Sequence, residues 1–312
     1  METAIIGAGA MGMLLAHRMA EAGLRPTLVA RTKRQKLNIE ENGLRLGQNG
    51  ESAVYLSCMS IEEWKTEDLS RWDWVLCTVK QTHLDALLHM IRHAKGLSNT
   101  NWLFMQNGLG HAEKAAEWID PARIFCGVTT EAARKLDERT VLHTGKGHTW
   151  IGRPLQINMQ DEAAAEQAQI NLCKQLSLAG FRWSVSKNIH RYIWEKLLVN
   201  AVINPLTGIT GVPNGGLLES PDLIVLMRLL FQEGAAVAKA EQAEISPDLW
   251  EKLLSVCKQT ANNRSSMLQD IDGGRTTEVE WINGSIIRRA ETHGIPVPTH
   301  LTVYHLIKSI SS

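Results

Sequence analysis

The feature that most constrains this chain is the spacing of three glycines, Gly7, Gly9 and Gly12, close to its start. They follow a short apolar run suited to a buried parallel strand, residues 3–6, and a helical pattern comes directly after them. A second strand is predicted at residues 26–30, which completes a strand–helix–strand unit. In such a unit the first glycine permits a tight turn, the second lets the backbone approach a pyrophosphate, and the third allows close helix packing. The pattern therefore predicts a Rossmann-type dinucleotide-binding domain.

The residues around these glycines indicate where a dinucleotide binds and which one it is. Free N–H groups at the start of a helix favour an anion. We therefore expect the cofactor to contact the loop and the first helical turn, which are Gly7, Ala8, Gly9, Ala10, Met11 and Gly12. The second strand runs into Val29–Arg34, a segment with three cations and no acid. NAD-binding proteins usually place an acid here, whereas Arg31 can pair with a 2′-phosphate, so the sequence favours NADPH over NADH.

Strand and helix patterns alternate through the first part of the chain and then give way to helices. Three strand candidates and a hairpin-like segment follow the first unit, at residues 74–79, 101–105, 123–128 and 140–152. From Ile189 onward helical patterns dominate. We therefore predict an α/β fold with an N-terminal Rossmann-type NADPH-binding domain, residues 1–185, followed by an all-helical C-terminal substrate and catalytic domain, residues 186–312.

Composition argues against several classes of protein. The 312 residues are 44% hydrophobic and 21% charged, and Lys+Arg equals Asp+Glu at 33 each. This mix is typical of a soluble globular protein, and a neutral chain lacks the basic field that drives nucleic-acid binding. No apolar run is long enough to span a bilayer, and the first residues do not resemble a signal peptide. Five scattered cysteines indicate neither a disulfide framework nor a zinc site. We expect a cytoplasmic protein with no metal and with no membrane or nucleic-acid partner.

A polar stripe on an otherwise apolar helix is the strongest local sign of catalysis. Lys196, Asn200 and Asn204 are spaced i, i+4, i+8 on a helix predicted from about Ile189 to Asn204, so they share one face. A lysine in apolar surroundings needs partners or a lowered pKa, and a lysine with a pKa near neutrality is a good general acid. The alternative is a snorkelling lysine beside two capping amides. We expect Pro205 to end this helix.

A second polar group follows near residue 278. Thr276 or Thr277 is expected to cap a helix that begins at Glu278. An acid early in a helix usually reflects capping or the helix dipole, so Glu278 says little by itself.

Several motifs, taken together and in order, resemble the ketopantoate reductase family over nearly the whole chain. They are the glycine loop, Gln106-Asn107-Gly108, Trp194-Glu195-Lys196-Leu197 with Asn200 and Asn204-Pro205-Leu206-Thr207, and Ser265–Asp270 followed by Thr277-Glu278. Members of this family reduce 2-dehydropantoate to pantoate with NADPH in pantothenate and coenzyme A biosynthesis. The resemblance implies that this chain is an oxidoreductase with the same activity.

The resemblance also implies a role for individual residues. Lys196 would donate the proton to the C2 carbonyl oxygen, and Glu278 would act at the junction of cofactor and substrate. Besides the glycine loop, the cofactor would contact Arg31, Lys80, Asn107, Ala133 and Glu278. The ketoacid would be held by Asn107, Lys196, Asn200, Asn204, Asn214 and Ser266.

Two features are not explained by the resemblance, and other functions stay open. Residues 155–166 look like a polar insertion, and Glu131 puts an acid near the expected nicotinamide side. Alternatives are a reductase of another branched 2-ketoacid or of a 3-hydroxyacid, and a non-catalytic NADPH sensor. A sensor would need the glycines and Arg31 but has no reason to keep Lys196, Asn200, Ser266 and Glu278 together. A homodimer formed by the helical domain is compatible with the sequence, which shows no dedicated interface.

Overall fold

The computed structural model describes residues 1–48, 52–156 and 159–311. The chain divides into two compact units. The first comprises Met1–Gln106 and His111–Ile189, and the second comprises Asn107–Gly110 and His190–Ser312. The short segment Asn107–Gly110 therefore belongs with the helical part of the chain. Within the described ranges, no helix is both long and apolar enough to cross a membrane.

The first unit contains two sheets and the helices that cover them. The strands are β1 Thr3–Ile6, β2 Pro26–Ala30, β3 Leu44–Leu46, β4 Ser52–Val54, β5 Ser57–Ser60, β6 Trp74–Cys77, β7 Asn101–Phe104, β8 Ile124–Thr129, β9 Ala132–Lys135, β10 Thr140–Gly145, β11 Thr149–Gly152 and β12 Trp183–Val185. The α-helices are α1 Ala10–Glu21, α2 Lys33–Asn42, α3 Ile61–Trp64, α4 Gln81–Ile91, α5 His111–Ala115 and α6 Met159–Leu178. Short 3-10 helices lie at Leu69–Arg71, Leu97–Asn99 and Pro121–Arg123.

The larger sheet has eight strands in the order β12-β11-β8-β7-β6-β1-β2-β5. Its pairs are parallel apart from β8–β11, and every residue of β1 is buried. The strand order reverses at β1, because β2 lies on one side of it and β6 on the other. Ligands of such sheets bind outside the carboxyl ends of the strands at this switch point. The glycine loop follows β1 and so lies there, and the predicted α/β fold class is confirmed.

The smaller sheet, in the order β4-β3-β10-β9, corrects one prediction. Residues 140–152 do not form a hairpin, because β10 pairs with β3 and β9 whereas β11 pairs with β8 and β12 of the larger sheet. Val141 on β10 and Ile151 on β11 are both fully buried. An isolated two-stranded hairpin is at best marginally stable, whereas pairing with the strands of two larger sheets lets both side chains be buried in the core. Strands β9 and β10 pack against α1, which places the smaller sheet beside the glycine loop.

The second unit consists of helices joined by turns, and no strand lies in it among the residues that the structure describes. Its helices are α7 Ile189–Thr210, α8 Pro221–Ala240, α9 Leu249–Gln259, α10 Ser266–Asp272, α11 Asn283–His293 and α12 Pro298–Ile310, with a 3-10 helix at Asn214–Leu218. Its core is formed by buried apolar side chains from several of these helices, among them Val202, Leu206, Met227, Leu230, Leu253 and Val303. The predicted helical character of the C-terminal domain is confirmed.

Helix α7 does not end where the sequence predicts. It continues through Pro205 to Thr210, so the expectation that Pro205 ends the helix is wrong, and Asn204 stays helical. A proline inside a helix leaves the carbonyl four residues earlier, here that of Ala201, without its backbone donor. The side-chain amide of Asn283 supplies the missing hydrogen bond at 2.9 Å. The helix passes through the proline because another helix provides this donor.

The expectation that a helix begins at Glu278 is also wrong. The helix α11 begins at Asn283, and its N-cap is Ile282. Glu278 instead stands in a turn, where its carbonyl accepts hydrogen bonds from the N–H groups of Trp281 and Ile282. The carbonyl of Trp281 accepts from the N–H of Leu109 at 3.3 Å. A helix running through residue 281 would direct this carbonyl along its own axis, so the contact with Leu109 requires the turn.

The predicted polar insertion at residues 155–166 is largely the start of a helix. Residues 157 and 158 lie outside the described residues, and residues 159–166 form the first turns of α6. Asp161 and Glu162 are exposed in the first turn, where negative charge is favourable for the helix dipole.

Candidate active site

The loop after β1 holds two glycines at positions where no other side chain fits. Gly7 has a φ of +111°, and a Cβ there would lie 2.9 Å from the backbone nitrogen of Val79. A Cβ on Gly12 would lie 2.0 Å from the carbonyl oxygen of Gly7 and 2.6 Å from Thr78 Oγ1. The Thr78 hydroxyl lies 3.0 Å from the carbonyl oxygen of Ile6 and 2.9 Å from that of Gly7. The chain segments after β1 and β6 are thus held together at the switch point.

Gly9 differs from these two glycines because nothing lies within 4 Å of the position of its Cβ. It is the N-cap of α1, which has no side-chain cap and no acid in its first turn. Open space in front of unbonded helix N–H groups is the arrangement that binds a phosphate. The following residues, Ala10 and Met11, are half-buried in the first turn. The loop therefore fits the pyrophosphate of a dinucleotide.

The cations predicted to bind the cofactor lie after the two strands that flank β1. Arg31 follows β2 and is exposed, and among the described residues no carboxylate forms an ion pair with it. Arg34, in contrast, is paired with Glu138. Lys80 follows β6 and occupies the N-cap position of α4, where it is exposed. Arg31 can therefore offer its guanidinium to an anion, whereas Arg34 is already neutralised.

Strand β9 brings one predicted and one unpredicted residue to the glycine loop. Ala133 is half-buried, pairs with His143 and packs against the core that contains α1. Two residues later, Lys135 donates from Nζ to the carbonyl oxygen of Ala8 at 3.0 Å. The position of Lys135 depends on β9 joining a sheet built from distant segments, which no local sequence pattern indicates.

The unexpected acid Glu131 is engaged within the β9–β10 hairpin. Its Oε2 lies 2.6 Å from Nε2 of His143, and its side chain is 4% exposed. The same imidazole nitrogen lies 3.1 Å from the carbonyl oxygen of Gly145. The carboxylate therefore has a structural partner that explains its presence.

In the second unit, Lys196 lies half-buried on α7 between the buried side chains of Ile193 and Leu197. Burial lowers the pKa of Lys196 to about 8, and the carboxylate of Glu278 acts in the opposite direction. A shift of this size is expected for an ammonium group removed from water with one negative charge nearby. The surroundings of Lys196 thus agree with the expectation of a lysine shifted towards neutrality.

Asn107, in the segment that precedes α5, contacts Glu278. Its Nδ2 donates to Oε2 of Glu278 at 3.3 Å. The next residue, Gly108, has a φ of +88°, and a Cβ there would lie 2.2 Å from the carbonyl oxygen of Trp281. The turn therefore needs glycine. The structure in this way brings together three predicted site residues, Lys196, Glu278 and Asn107.

Asn200 and Asn204 lie on the same face of α7 as the lysine, and Asn204 is 5% exposed. The end of this helix is tied to α10 by a hydrogen bond of 2.7 Å between the buried hydroxyls of Thr207 and Ser265. Ser265 caps α10 and so places Ser266 as the exposed first residue of that helix. Thr207 and Ser265, which were not predicted as site residues, thus connect the Asn204 end of α7 to Ser266.

Asn214 has partners of its own. Its Nδ2 donates to Oγ1 of Thr260 at 2.9 Å, and its backbone N–H donates to the carbonyl of Asn263. Its Oδ1 is buried and has no hydrogen-bond partner in the described part of the chain. Within that part, no hydrogen bond joins Asn214 to the polar stripe of α7.

Comparison with known proteins gives matches over most of the chain. A family model described as "Ketopantoate reductase PanE/ApbA" matches residues 3–156, and one described as "Ketopantoate reductase PanE/ApbA C terminal" matches residues 188–311. The 2-dehydropantoate 2-reductase of Bacillus subtilis is 33% identical over 310 residues, which are 99% of this chain and 97% of that protein.

Two solved structures have a similar fold along the whole chain. A PanE/ApbA family ketopantoate reductase from Ralstonia eutropha aligns with a TM-score of 0.86 at 28% identity, covering 100% of this chain and 98% of that one. A D-mandelate dehydrogenase in complex with NADH aligns with a TM-score of 0.87 at 26% identity, covering 100% and 99%.

Proposed function

The chain belongs to the ketopantoate reductase PanE/ApbA family of oxidoreductases, and we propose that it reduces 2-dehydropantoate to pantoate with NADPH. The observation that supports this most is the group formed by Lys196, Glu278 and Asn107, in which an ammonium with a pKa of about 8 lies near a hydrogen-bonded carboxylate. Reduction of a ketone needs a general acid whose pKa is close to the working pH. A protein that only sensed NADPH would have no use for this group.

We assign most cofactor contacts to the first unit and the ketoacid to the second. The uncapped start of α1 and the open space at Gly9 would receive the pyrophosphate, and Arg31 would bind the 2′-phosphate. Lys80 and Ala133 are the further contacts that the family resemblance implies. Arg31 is the reason for proposing NADPH, although one structural neighbour was solved with NADH. When bound, the reduced nicotinamide supplies the hydride that reduces the carbonyl carbon.

Lys196 holds and transfers the proton in the proposed reaction. As an ammonium group it donates a hydrogen bond to the ketone oxygen and stabilises the negative charge that develops there. The proton then moves from Nζ to this oxygen, which yields the alcohol and leaves a neutral amine. With a pKa of about 8, Lys196 is mostly charged at neutral pH and gives up its proton more readily than an exposed lysine does.

Glu278 keeps Lys196 protonated before the reaction, and Asn107 holds Glu278 in place. The negative charge of Glu278 raises the pKa of Lys196 against the effect of burial, so the lysine stays protonated before reaction. The 3.3 Å hydrogen bond from Asn107 orients the carboxylate. Both residues would also contact the cofactor, as the family resemblance implies.

The remaining polar residues suit a hydroxylated ketoacid. Asn200 and Asn204 offer amides that bind a carboxylate or a hydroxyl group without adding net charge. Ser266 adds a hydroxyl at the start of α10. The unpartnered Oδ1 of Asn214 would accept a hydrogen bond from a substrate hydroxyl.

The first experiment follows the absorbance of the reduced nicotinamide after purified protein is mixed with NADPH and 2-dehydropantoate. Other branched 2-ketoacids, a 3-hydroxyacid assayed in the oxidative direction, and NADH in place of NADPH run in parallel. We expect the highest kcat/KM with 2-dehydropantoate and NADPH. A higher kcat/KM with another ketoacid would support the proposed hydride transfer but contradict the assignment of 2-dehydropantoate as the substrate. Tight NADPH binding without turnover on any acid would reject the enzyme.

Two variants test the assigned roles. Lys196→Met should lower kcat by at least about 100-fold and leave the Kd of NADPH almost unchanged, because only the proton donor is lost. Lys258→Met, which removes an exposed lysine from α9, is the matched control and should behave as the wild type. Arg31→Glu should weaken NADPH much more than NADH, since a carboxylate repels the 2′-phosphate. Wild-type turnover in Lys196→Met would overturn the assignment of the proton donor.

We further propose a cytoplasmic enzyme of pantothenate and coenzyme A biosynthesis. All five cysteines are free and buried, which agrees with a reducing compartment. A homodimer stays a prediction that sedimentation analysis of the purified protein tests. Deletion of the gene should make growth depend on added pantoate or pantothenate if the pathway is assigned correctly.

A further inference from the structure

Lys135 lies at the edge of the glycine loop that faces the end of β2. Its Nζ donates to the carbonyl oxygen of Ala8 at 3.0 Å, and the same oxygen accepts from Nε2 of Gln35, also at 3.0 Å. Gln35 belongs to the first turn of α2, directly after the strand whose end binds the cofactor ribose in folds of this type. Lys135 is therefore on the ribose side of the loop and not in front of the α1 N-terminus.

The two acids that act on the pKa of Lys135, Glu138 and Asp137, also contact other groups. The carboxylate of Glu138 is paired with Arg34. Oδ1 of Asp137 accepts from the backbone N–H groups of Arg139 and Thr140, at 2.8 and 2.7 Å. In the described part of the chain no carboxylate forms an ion pair with Lys135. Its ammonium group has three donors, of which the Ala8 carbonyl uses one.

The positive charge of Arg31 is one of the charges that act on Lys135. Burial lowers the pKa of Lys135, and the positive charge of Arg31 lowers it further, whereas Glu138 and Asp137 raise it. Two neighbouring cations that lack their own carboxylate partners repel each other. An anion with two negative charges that binds to both cations would offset this repulsion. Arg31 after β2 and Lys135 at the glycine loop are thus two cations that, in the described part of the chain, form no ion pair with a carboxylate.

We propose that Lys135 is a second cationic ligand, beside Arg31, for the 2′-phosphate of NADPH. The inference rests on the proposed function, because it requires the 2′-phosphorylated cofactor. Arg31 would form a bidentate contact and Lys135 would add a point charge with one or two further hydrogen bonds. NADH has a neutral ribose hydroxyl at this position, so Lys135 contributes to the choice between the two cofactors.

The test measures Kd by isothermal titration for NADPH and NADH, and for the two adenosine halves, adenosine 2′,5′-bisphosphate and AMP. Lys135→Gln should raise the Kd of NADPH and of the bisphosphate about 10- to 100-fold, the loss expected for a charge-assisted hydrogen bond. The Kd values of NADH and AMP should change by less than about threefold. Lys135→Arg should retain most of the preference for NADPH, because the charge stays in place.

Arg134→Gln is the matched control, because Arg134 is the preceding exposed cation on β9 and its side chain points to the opposite face. It should leave all four Kd values unchanged. Equal weakening of NADPH and NADH in Lys135→Gln would overturn the proposal and assign the lysine to the pyrophosphate. An unchanged Kd for NADPH would also overturn it. If the wild type itself bound adenosine 2′,5′-bisphosphate no better than AMP, the NADPH preference would fail, and the proposal would fail with it.

Discussion

The side-chain amide of Asn283 donates to the backbone carbonyl of Ala201, the acceptor that Pro205 leaves without its usual partner. Asn283 is fully buried at the start of α11, and its Nδ2 also lies 3.1 Å from Nδ1 of His300. One amide therefore joins three helices at the position where α7 contains a proline. The polar stripe of α7 ends at Asn204, directly before that proline, so this contact supports the part of the helix that presents the site.

Replacing Asn283 tests whether this contact stabilises the helical unit. Asn283→Ala leaves a buried carbonyl and a buried imidazole nitrogen without their donor, which should lower the free energy of unfolding by about 2–4 kcal/mol. Pro205→Ala alone should be neutral or stabilising, because it restores a backbone N–H inside a helix. Urea denaturation of both variants gives the two values.

The double variant decides between this explanation and simple loss of packing. In Asn283→Ala with Pro205→Ala, the new backbone N–H can bond to the Ala201 carbonyl, so the loss should be smaller than the sum of the single effects by about 1 kcal/mol or more. Effects that add to within about 0.5 kcal/mol would contradict the proposed replacement of a backbone donor by a side chain.

Local patterns predict much of the first unit because its elements are short and strongly periodic. The apolar run before Gly7 becomes β1, and the helix after it ends before Gly23, which has a φ of +78°. The hairpin predicted at residues 140–152 is wrong because closeness in sequence does not decide which strands pair. Long-range burial of Val141 and Ile151 in two different sheets decides it instead.

The candidate site was predictable to the extent that it depends on spacing. The stripe that begins at Lys196 follows from helical geometry, and Glu278 and Asn107 were indicated only by the family resemblance. Lys135 and Asn283 could not be found in this way, because each acts through a contact with a residue far away along the chain. The path of α7 through Pro205 could not be predicted for the same reason.

Alanine at two glycines of the loop should have opposite consequences. In Gly12→Ala the new Cβ would lie 2.0 Å from the Gly7 carbonyl oxygen, so the backbone must move and the unfolding free energy should fall by about 2 kcal/mol or more.

In Gly9→Ala the methyl group enters open space, so stability should change by less than about 1 kcal/mol. The Kd of NADPH should nevertheless rise at least about 10-fold, because the methyl group occupies the space for the pyrophosphate. Thermal unfolding and NADPH titration check both variants, and wild-type binding by Gly9→Ala would contradict this placement of the cofactor.

The pKa of Lys196 makes turnover depend on pH. The proposed reaction needs the ammonium form, so kcat for reduction should fall as the pH rises through about 8. The pH profile of kcat from pH 6 to 10, measured with saturating NADPH and ketoacid, checks this. A kcat that stays constant up to pH 10 would contradict a lysine proton donor with a lowered pKa.

The same shift predicts that the proton donor lowers stability. The pKa of Lys196 is about 8 in the folded protein, against an ordinary value of 10.5. Between these values the unfolded chain binds more protons, so the contribution of Lys196 to stability improves as pH rises through this window. Below pH 8 the full cost is present, and Lys196→Met should be more stable than the wild type at pH 7 by up to about 3 kcal/mol. Lys258→Met, measured in the same urea titrations, should show no such gain.

Two buried histidines should make the protein sensitive to acid. Burial lowers the pKa of His111 in the first unit and of His300 in the second to about 4, from an ordinary value of 6.5. Neutral His300 accepts from Asn283 at Nδ1 and donates from Nε2 to the carbonyl of Leu230, so protonation breaks the first contact. Between pH 6.5 and 4 the unfolded chain binds more protons, and each histidine should remove up to about 1.4 kcal/mol of stability per pH unit as the pH falls.

Glutamine variants separate these histidines from the other groups that titrate in acid. His300→Gln removes the protonation step, so its urea midpoint should fall less steeply than that of the wild type between pH 6.5 and 4.5, even if the variant is less stable at pH 7. His305→Gln removes an exposed histidine from the same helix and should keep the wild-type slope. Equal slopes for His300→Gln and His305→Gln would mean that His300 is not held neutral by burial. The acid sensitivity would then have to come from carboxylates whose pKa a partner lowers in the folded protein, such as Glu63 beside Lys36.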